Sequence, residues 1–195
     1  MTFNTERQDV LAGITGRTVP AIRHMQAHGY TPWDDKEFEA GQHRRYSGKH
    51  ALALILAEML AQQGLTNEAA AAFVKDHDFL VNRFLDQIER GETVDQAFVA
   101  ALYMAEEDSM IGLRWTPVAP AGGSAEEIVN RVSGVLSRVG QTSETRNGRS
   151  TDRIIGGLRL AIVHIPESYR LLKKRALDAG FGIDGRRIYK LQAAE

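Results

Sequence analysis

Apolar side chains recur every three or four positions through much of residues 5–90, which predicts a series of amphipathic helices. A first helix is expected to begin near residue 5 and to end within residues 13–16, a segment bounded by glycines. Thr18 has the side chain to cap a second helix, Pro20 fits its first turn, and Gly29 ends it. The pattern therefore predicts two short helices joined by a tight turn that contains glycine.

The next segment, from Trp33 to Tyr46, is polar and irregular, and we expect a short hairpin or wing there. Ser47 and Thr66 are then suited to cap two further helices, because each stands directly before a run with helical periodicity. The helices expected after the wing cover about residues 49–63, 68–74, 79–91 and 94–104.

Near residue 109 the pattern changes to an alternation of strands and helices, which favours a β-α-β-α-β order up to residue 191. Asp184-Gly185 is a typical hairpin turn near its end. We assign the fold to the α+β class, with an N-terminal winged helix-turn-helix followed by a small C-terminal α/β unit. The expected boundaries are 1–75 for the winged domain, 76–108 for an acidic helical connector and 109–195 for a C-terminal dimerisation or regulatory domain.

Composition narrows the classes of function. The 195 residues include no cysteine, which excludes disulfides, thiolate metal sites and thiol redox sensing. No apolar run approaches the roughly 20 residues that span a bilayer, and the polar first residues do not have the layout of a signal peptide. We therefore expect a cytoplasmic protein without membrane contacts.

Charge is distributed unevenly although the formal net charge is only -1. Basic and acidic residues number 8 and 8 in residues 1–75, 2 and 9 in residues 76–110, and 14 and 8 in residues 111–195. A balanced total argues against a protein that coats nucleic acid through a uniformly basic surface. Any binding of nucleic acid must then depend on a local basic surface.

An ordered set of short motifs is the most specific signal in the chain. The motifs are Leu11-Ala12, Thr15-Gly16, Thr18-Val19, Ile22-Arg23, Gly29, Pro32, Arg44-Arg45-Tyr46-Ser47 and Gln63-Gly64-Leu65-Thr66. In this order and at these spacings, residues 8–75 resemble the MerR family of winged-helix transcriptional regulators. The resemblance covers little more than a third of the chain.

The resemblance implies that the second helix reads DNA and that the wing grips its backbone. Arg23 matches the arginine of the family's recognition helix, and Arg44, Arg45 and Tyr46 match the end of its wing. Guanidinium groups and a tyrosine hydroxyl suit phosphate oxygens, because they donate in fixed geometries. Arg17, Thr18, His24 and His28 are the expected supplementary contacts, since the first turns of a recognition helix approach the bases.

The sequence also departs from the family pattern. His24 and Met25 replace an aromatic pair, and the wing carries the carboxylates Asp34, Asp35, Glu37 and Glu39, which would repel phosphate if they faced it. Tyr46 can also be read as a core residue of the wing. The family's long dimerising helix is not obvious either, because Gly91 interrupts the segment that follows.

A basic cluster near the C-terminus has more than one interpretation. It consists of Lys173, Lys174, Arg175, Arg186, Arg187 and Lys190. These side chains can touch DNA beside the half-site, or dock on the acidic residues 76–110 of the same or a partner chain, and we slightly favour docking. The neighbouring apolar residues are typical of an ordinary core rather than of a cofactor pocket.

We expect a sequence-specific transcriptional regulator that binds double-stranded DNA as a homodimer, with no cofactor and no metal. No phosphate loop, metalloprotease motif or nucleophile elbow stands in the sequence, so we do not expect an enzyme. Two alternatives stay open. One is a DNA-bending, excisionase-like regulator of a phage or mobile element, and the other is a protein-interaction module that has lost DNA binding.

Overall fold

The computed structural model describes residues 7–38, 44–108, 112–139 and 155–192, and these fold into a mixture of helices and small antiparallel sheets. The α+β class is therefore correct at this level. The helices are α1 (Gln8–Thr15), α2 (Val19–Ala27), α3 (Gly48–Gln62), α4 (Asn67–Asp76), α5 (Asp78–Glu89), α6 (Ala125–Val139) and α7 (Ile165–Asp178). The strands are β1 (Phe98–Asp108), β2 (Gly112–Gly123), β3 (Ile155–His164), β4 (Phe181–Asp184) and β5 (Arg187–Lys190).

The turn between α1 and α2 is fixed by local chemistry. Gly16 ends α1 in the left-handed region at φ 73°, and the backbone N–H of Arg17 donates to Ala12 O at 3.1 Å. Thr18 then caps α2 by accepting from the N–H of Ala21 at 3.3 Å, and Pro20 lies in the first turn. The predicted pair of short helices and its turn are confirmed.

Helix α3 is the centre of the core. An unbroken run from Ala51 to Ala57 is buried, so the helix is covered on every side rather than along one stripe. Helices α1, α4, α5 and α7 all pack against it. The other elements of this unit therefore take their positions from α3.

The chain divides into two compact units, and the first is discontinuous. It comprises residues 1–95 together with residues 163–195, whereas residues 96–162 form the second unit. The last residues of the chain thus belong with the N-terminal helices, because α7 packs on α1 and α3. This division differs from the boundaries expected from sequence, which placed residues 109–195 in one domain.

The turn of the β4–β5 hairpin is inserted among the helices of the first unit. Gly48, the first residue of α3, donates its N–H to the carbonyl of Arg186 at 2.8 Å. The Arg186 side chain, 15% exposed, pairs with Asp86 and Glu89 at 2.8 Å each. Tyr169 accepts from the N–H of Gly185, and its burial raises the pKa of its phenol to about 12. Arg186 therefore docks on the acidic segment of its own chain.

The second unit contains the three-stranded sheet, in the order β2-β1-β3, and helix α6. Strands β1 and β2 pair antiparallel along their full lengths, with one irregularity at residues 102–103. Helix α6 packs on this pair, where Ala100 and Ile128 are the buried centre of a small apolar cluster. Ser124 donates its N–H to Glu127 and accepts from the N–H of that residue, which caps α6.

The helix expected around residues 94–104 is wrong, because Phe98–Asp108 form the strand β1. Residues 99–102 of this strand are all buried, so no alternation marked it as a strand, and its alanines favour a helix. The wing expected over residues 33–46 stays a prediction. Its described part contains a short 3-10 turn, Asp35–Glu37, and a β-bridge at Tyr46, while residues 39–43 lie outside the described ranges.

The second unit is expected to be dispensable for folding of the first. The chain leaves the first unit at Asp95 and returns at Val163, and His164 Nε2 lies 2.8 Å from the carbonyl oxygen of Asp95. We predict that replacing residues 96–162 by a short Gly/Ser linker leaves a cooperatively unfolding helical protein. Circular dichroism and thermal melting test this, and a chain without a cooperative transition would contradict it.

Any side chain at position 48 is expected to destabilise the fold. A Cβ at this position would lie 2.5 Å from the carbonyl oxygen of Gly185, a backbone atom that cannot move without lifting the hairpin. We predict that Gly48→Ala lowers the free energy of unfolding by about 1–3 kcal/mol in urea titrations. Gly13→Ala is the matched control, since nothing lies within 4 Å of its Cβ position, and it should stabilise the chain by about 0.5–1 kcal/mol.

Candidate functional site

Helix α2 has one buried face and one exposed face. Ile22 and Met25 are 0% and 5% exposed and attach the helix to the core. Arg23 lies between them in sequence and is exposed on the other face. Within the described ranges it makes no hydrogen bond or ion pair, so its guanidinium is available for a ligand.

A cleft of about 630 Å³ lies beside this exposed face of α2. Among the described residues, its lining is rich in arginine and contains one carboxylate, that of Asp9. The residues that line it are Arg7, Gln8, Asp9, Val19, Arg23, Gln26, Arg44, Arg45 and Tyr46. The structure therefore brings Arg23 together with Arg44 and Arg45 on one concave, basic surface.

Tyr46 joins the segment that carries Arg44 and Arg45 to helix α2. Its side chain is only 1% exposed and contacts Trp33 and Phe38, so the residue belongs to the core. Its hydroxyl accepts from Gln26 Nε2 at 2.6 Å, and Gln26 in turn accepts from Gln8 at 3.2 Å. Burial raises the pKa of Tyr46 above its usual value of 10.0, so the hydroxyl keeps a proton. Tyr46 thus positions Gln26 on α2 and is not an exposed phosphate contact of the kind the sequence suggested.

Arg44 contacts Asp35 and Phe38, two residues of the segment before α3. Its guanidinium lies 3.0 Å from Asp35 and 5.3 Å from the centre of the Phe38 ring. The side chains of the pair are 37% and 43% exposed, and such surface ion pairs contribute about 0–1 kcal/mol. A phosphate group can therefore replace Asp35 at little cost. Arg45 is exposed beside it.

Three of the four wing carboxylates that the sequence raised as an obstacle to an anion, Asp34, Asp35 and Glu37, are engaged within the protein. Asp34 accepts from the N–H of Lys36, and Asp35 pairs with Arg44. Glu37 accepts from Lys49 at 3.0 Å, and Lys49 also contacts Asp78. His50, whose Nε2 lies 3.5 Å away, and the Lys49 ammonium lower the pKa of Glu37 from 4.5 to about 2. Glu39 lies outside the described residues.

Ser47, His50 and Glu37 form a line that resembles a nucleophile, a base and an acid. His50 Nδ1 lies 3.0 Å from Ser47 Oγ, and Nε2 lies 3.5 Å from Glu37. However, Nδ1 also accepts from the backbone N–H of Ser47 at 3.0 Å, which is a helix-capping bond. Ser47 is only 7% exposed and does not line the cleft. These atoms therefore serve the start of α3.

The supplementary contacts expected from sequence lie outside the cleft lining. Arg17 is half-buried in the turn, with Nη1 3.8 Å from the sulfur of Met25. Thr18 is exposed, and its hydroxyl is engaged in capping α2. His24 and His28 are exposed near the other end of α2, where their ring centres lie 4.1 Å apart.

Sequence reasoning missed Arg7, Gln8 and Gln26. Gln26 follows Arg23 by three positions, so helical periodicity places it on a neighbouring part of the same surface and offered a signal. Arg7 and Gln8 reach the cleft because the start of α1 lies near α2 and Arg44, which is a tertiary arrangement. No local pattern in the sequence indicates it.

Some side chains of the C-terminal basic cluster make contacts within the chain, and others are exposed. Arg175 donates to the carbonyl oxygen of Thr15 at 2.7 Å and lies 3.5 Å from Glu58. It therefore binds the carboxyl end of α1, where the helix dipole favours a cation. Lys174 and Arg187 are exposed. For Arg175 and Arg186, docking within the chain is the observed role.

Neither a membrane-spanning helix nor a metal cluster is found among the described residues. None of the helices within the described ranges has the length and apolar character that crossing a bilayer requires. The same ranges hold no group of three or more His, Asp or Glu side chains arranged for a metal ion. No model of a protein family matches the chain, and no curated protein matches it either.

Glu37 should make the stability of the chain depend on acid. Its pKa is lower in the folded state, about 2, than the ordinary 4.5, so the stabilisation is complete above about pH 4.5 and is lost as the pH falls towards 2. Because the side chain is partly exposed, we expect the contribution to be about 1–2 kcal/mol. Glu37→Gln should remove this loss in urea titrations between pH 2.5 and 7. Glu68→Gln, an exposed control in α4, should leave the pH profile nearly unchanged.

Proposed function

We propose that this chain is a sequence-specific DNA-binding transcriptional regulator of the MerR-like, winged helix-turn-helix type. The observation that carries the proposal is that Arg23 on α2 and the pair Arg44-Arg45 line the same cleft. A helix of this kind lies in the major groove, while flanking arginines contact the phosphates beside it. No catalytic role is proposed for any of these residues.

The proposed contacts divide into two kinds. Arg23, exposed at the middle of α2, is assigned to a base edge, where a guanidinium donates in a fork to guanine. Arg44, Arg45 and Arg7 are assigned to phosphate oxygens, since they line the same cleft from outside α2. The segment 44–47 takes the place of a wing in this arrangement.

A homodimer is part of the proposal. One helix as short as α2 reads only a few base pairs, whereas two copies on adjacent half-sites multiply the specificity. The operator then has inverted symmetry. Repression and activation are both compatible with binding of this kind.

The protein-interaction alternative has the acidic and basic segments of the chain bind a partner, with the acidic wing as one of its signals. The ion pairs of the wing weaken that signal. Asp35 and Glu37 instead pair with Arg44 and Lys49 of the same chain. Their charge is largely neutralised locally, so DNA binding is the reading that the charges favour.

Two substitutions should separate base reading from backbone binding. The DNA is a sequence selected from a random pool by the full chain, and binding is followed by fluorescence anisotropy across a salt series. Arg23→Ala should weaken binding by about 1–3 kcal/mol, roughly 5- to 150-fold, and relax the preferred sequence at one position. The double change Arg44→Ala with Arg45→Ala should weaken all sequences alike and lower the salt slope by about 1–2.

Arg83→Ala is the matched control, because Arg83 is an exposed arginine on α5 that does not line the cleft. It should leave both affinity and salt slope close to those of the unchanged chain. Absence of any salt-sensitive binding would refute the proposal, as would equal losses from Arg83→Ala and Arg23→Ala. A footprint on attachment-site DNA rather than on a promoter would indicate the excisionase-like alternative.

A further inference from the structure

Three aromatic side chains form an exposed cluster at the carboxyl end of α2. His24 and His28 stand one helical turn apart, with ring centres 4.1 Å apart and planes inclined by 32°. Tyr30 lies beside both, with its ring centre 5.8 Å from that of His24 and 5.7 Å from that of His28. None of the three lines the arginine cleft, so the proposed DNA contacts do not use this cluster.

Tyr30 is fixed by the way α2 ends. Gly29 takes the left-handed conformation at φ 73°, and the N–H of Tyr30 returns to the carbonyl of Met25 at 3.1 Å. The next residues, Thr31 and Pro32, are buried and hold the chain that leaves the helix. The tyrosine is thus held against the two histidines by the backbone.

Each histidine has a partner for one ring nitrogen. His28 Nδ1 lies 2.9 Å from the carbonyl oxygen of His24, which can only accept, so His28 carries its proton on Nδ1 and has a lone pair on Nε2. His24 Nδ1 lies 2.6 Å from the hydroxyl of Tyr30, whose oxygen can accept a hydrogen bond from the ring N–H. Both rings can therefore offer Nε2 as a ligand atom while Nδ1 is held.

This is the arrangement that metal-binding imidazoles use in proteins. Their second nitrogen commonly donates to a carbonyl or another oxygen, which fixes the ring and its tautomer. Two histidines at positions i and i+4 of one helix reach the same ion, and bonds of about 2.0–2.1 Å need ligand nitrogens about 3.3 Å apart. Exposed side chains with rings 4.1 Å apart reach that separation by small rotations.

We propose that His24 and His28 bind one divalent transition metal ion, such as Zn²⁺, through their Nε2 atoms. Tyr30 is the positioning residue that holds His24 Nδ1. The carboxyl end of α2 favours a cation at this place, because its last carbonyl groups carry partial negative charge. Two protein ligands leave the other coordination positions to water.

The test is titration of the tag-free full chain with Zn²⁺ at pH 7.5, followed by isothermal calorimetry and by the imidazole resonances in NMR. One ion should bind per chain, with shifts at His24 and His28. His24→Ala and His28→Ala should each weaken binding at least tenfold. Tyr30→Phe, which keeps the ring and removes the hydroxyl, should weaken it by about 10-fold, as loss of an outer hydrogen bond does.

His77→Ala is the matched control. The Nδ1 atom of His77 also lies near the carbonyl oxygen four residues earlier, at 2.7 Å, but its ring neighbours are Phe73 and Phe79 rather than a histidine. It should bind Zn²⁺ as the unchanged chain does. Equal affinity in the double variant of His24 and His28, or an equal loss in His77→Ala, would overturn the proposal. Thermal melting of each variant without metal separates loss of the site from loss of the fold.

Discussion

Burial of the Tyr46 ring is the constraint on which the cleft depends. The ring packs between Trp33 and Phe38, and its hydroxyl meets Gln26 of α2. Arg44 and Arg45 directly precede this anchored residue, so its packing places their backbone beside α2. Full burial of a large aromatic side chain contributes about 1.5–3 kcal/mol, which far exceeds the contribution of the exposed pair between Arg44 and Asp35. The packing therefore sets the position of the arginines, and the ion pair only adjusts their side chains.

The start of α3 is the second fixed point, and it joins distant parts of the sequence. His50 Nδ1 accepts from the N–H of Ser47, and His50 Nε2 faces Glu37. The N–H of Gly48 donates to the carbonyl of Arg186 in the hairpin turn. The segment before α3 and the end of the chain are thus bound to the same helical turn. Since α1 is also tied to α7 through Arg175, the helices that line the cleft rest on residues far along the chain.

Much of the helical part could be predicted because its signals are local. Thr18, Ser47 and Thr66 stand before the helices α2, α3 and α4, and the left-handed glycines Gly16 and Gly29 follow α1 and α2. At least one end of each of these four helices is therefore marked locally. Strand β1 could not be predicted, because burial on both faces removes the alternation that marks a strand. The docking of α7 and β4–β5 onto the first helices escaped for another reason. The sequence showed that Arg186 and the acidic segment are complementary in charge. It did not show whether Arg186 docks on the acidic segment of its own chain or on that of a partner.

For the site, the sequence indicated the arginines and misjudged their surroundings. Arg23, Arg44 and Arg45 stand in motifs that can be recognised by spacing, whereas the acidic residues near them looked like an obstacle to an anion. The net charge of -1 has the same ambiguity. Exposed charges are largely screened beyond about 8–10 Å at physiological ionic strength, so a phosphate in the cleft experiences mainly the residues that line it. Among the described residues, these are four arginines and one aspartate, while Glu37 is held by Lys49 and His50. Local pairing of the carboxylates, rather than the total charge, therefore decides the sign of the field that a ligand meets.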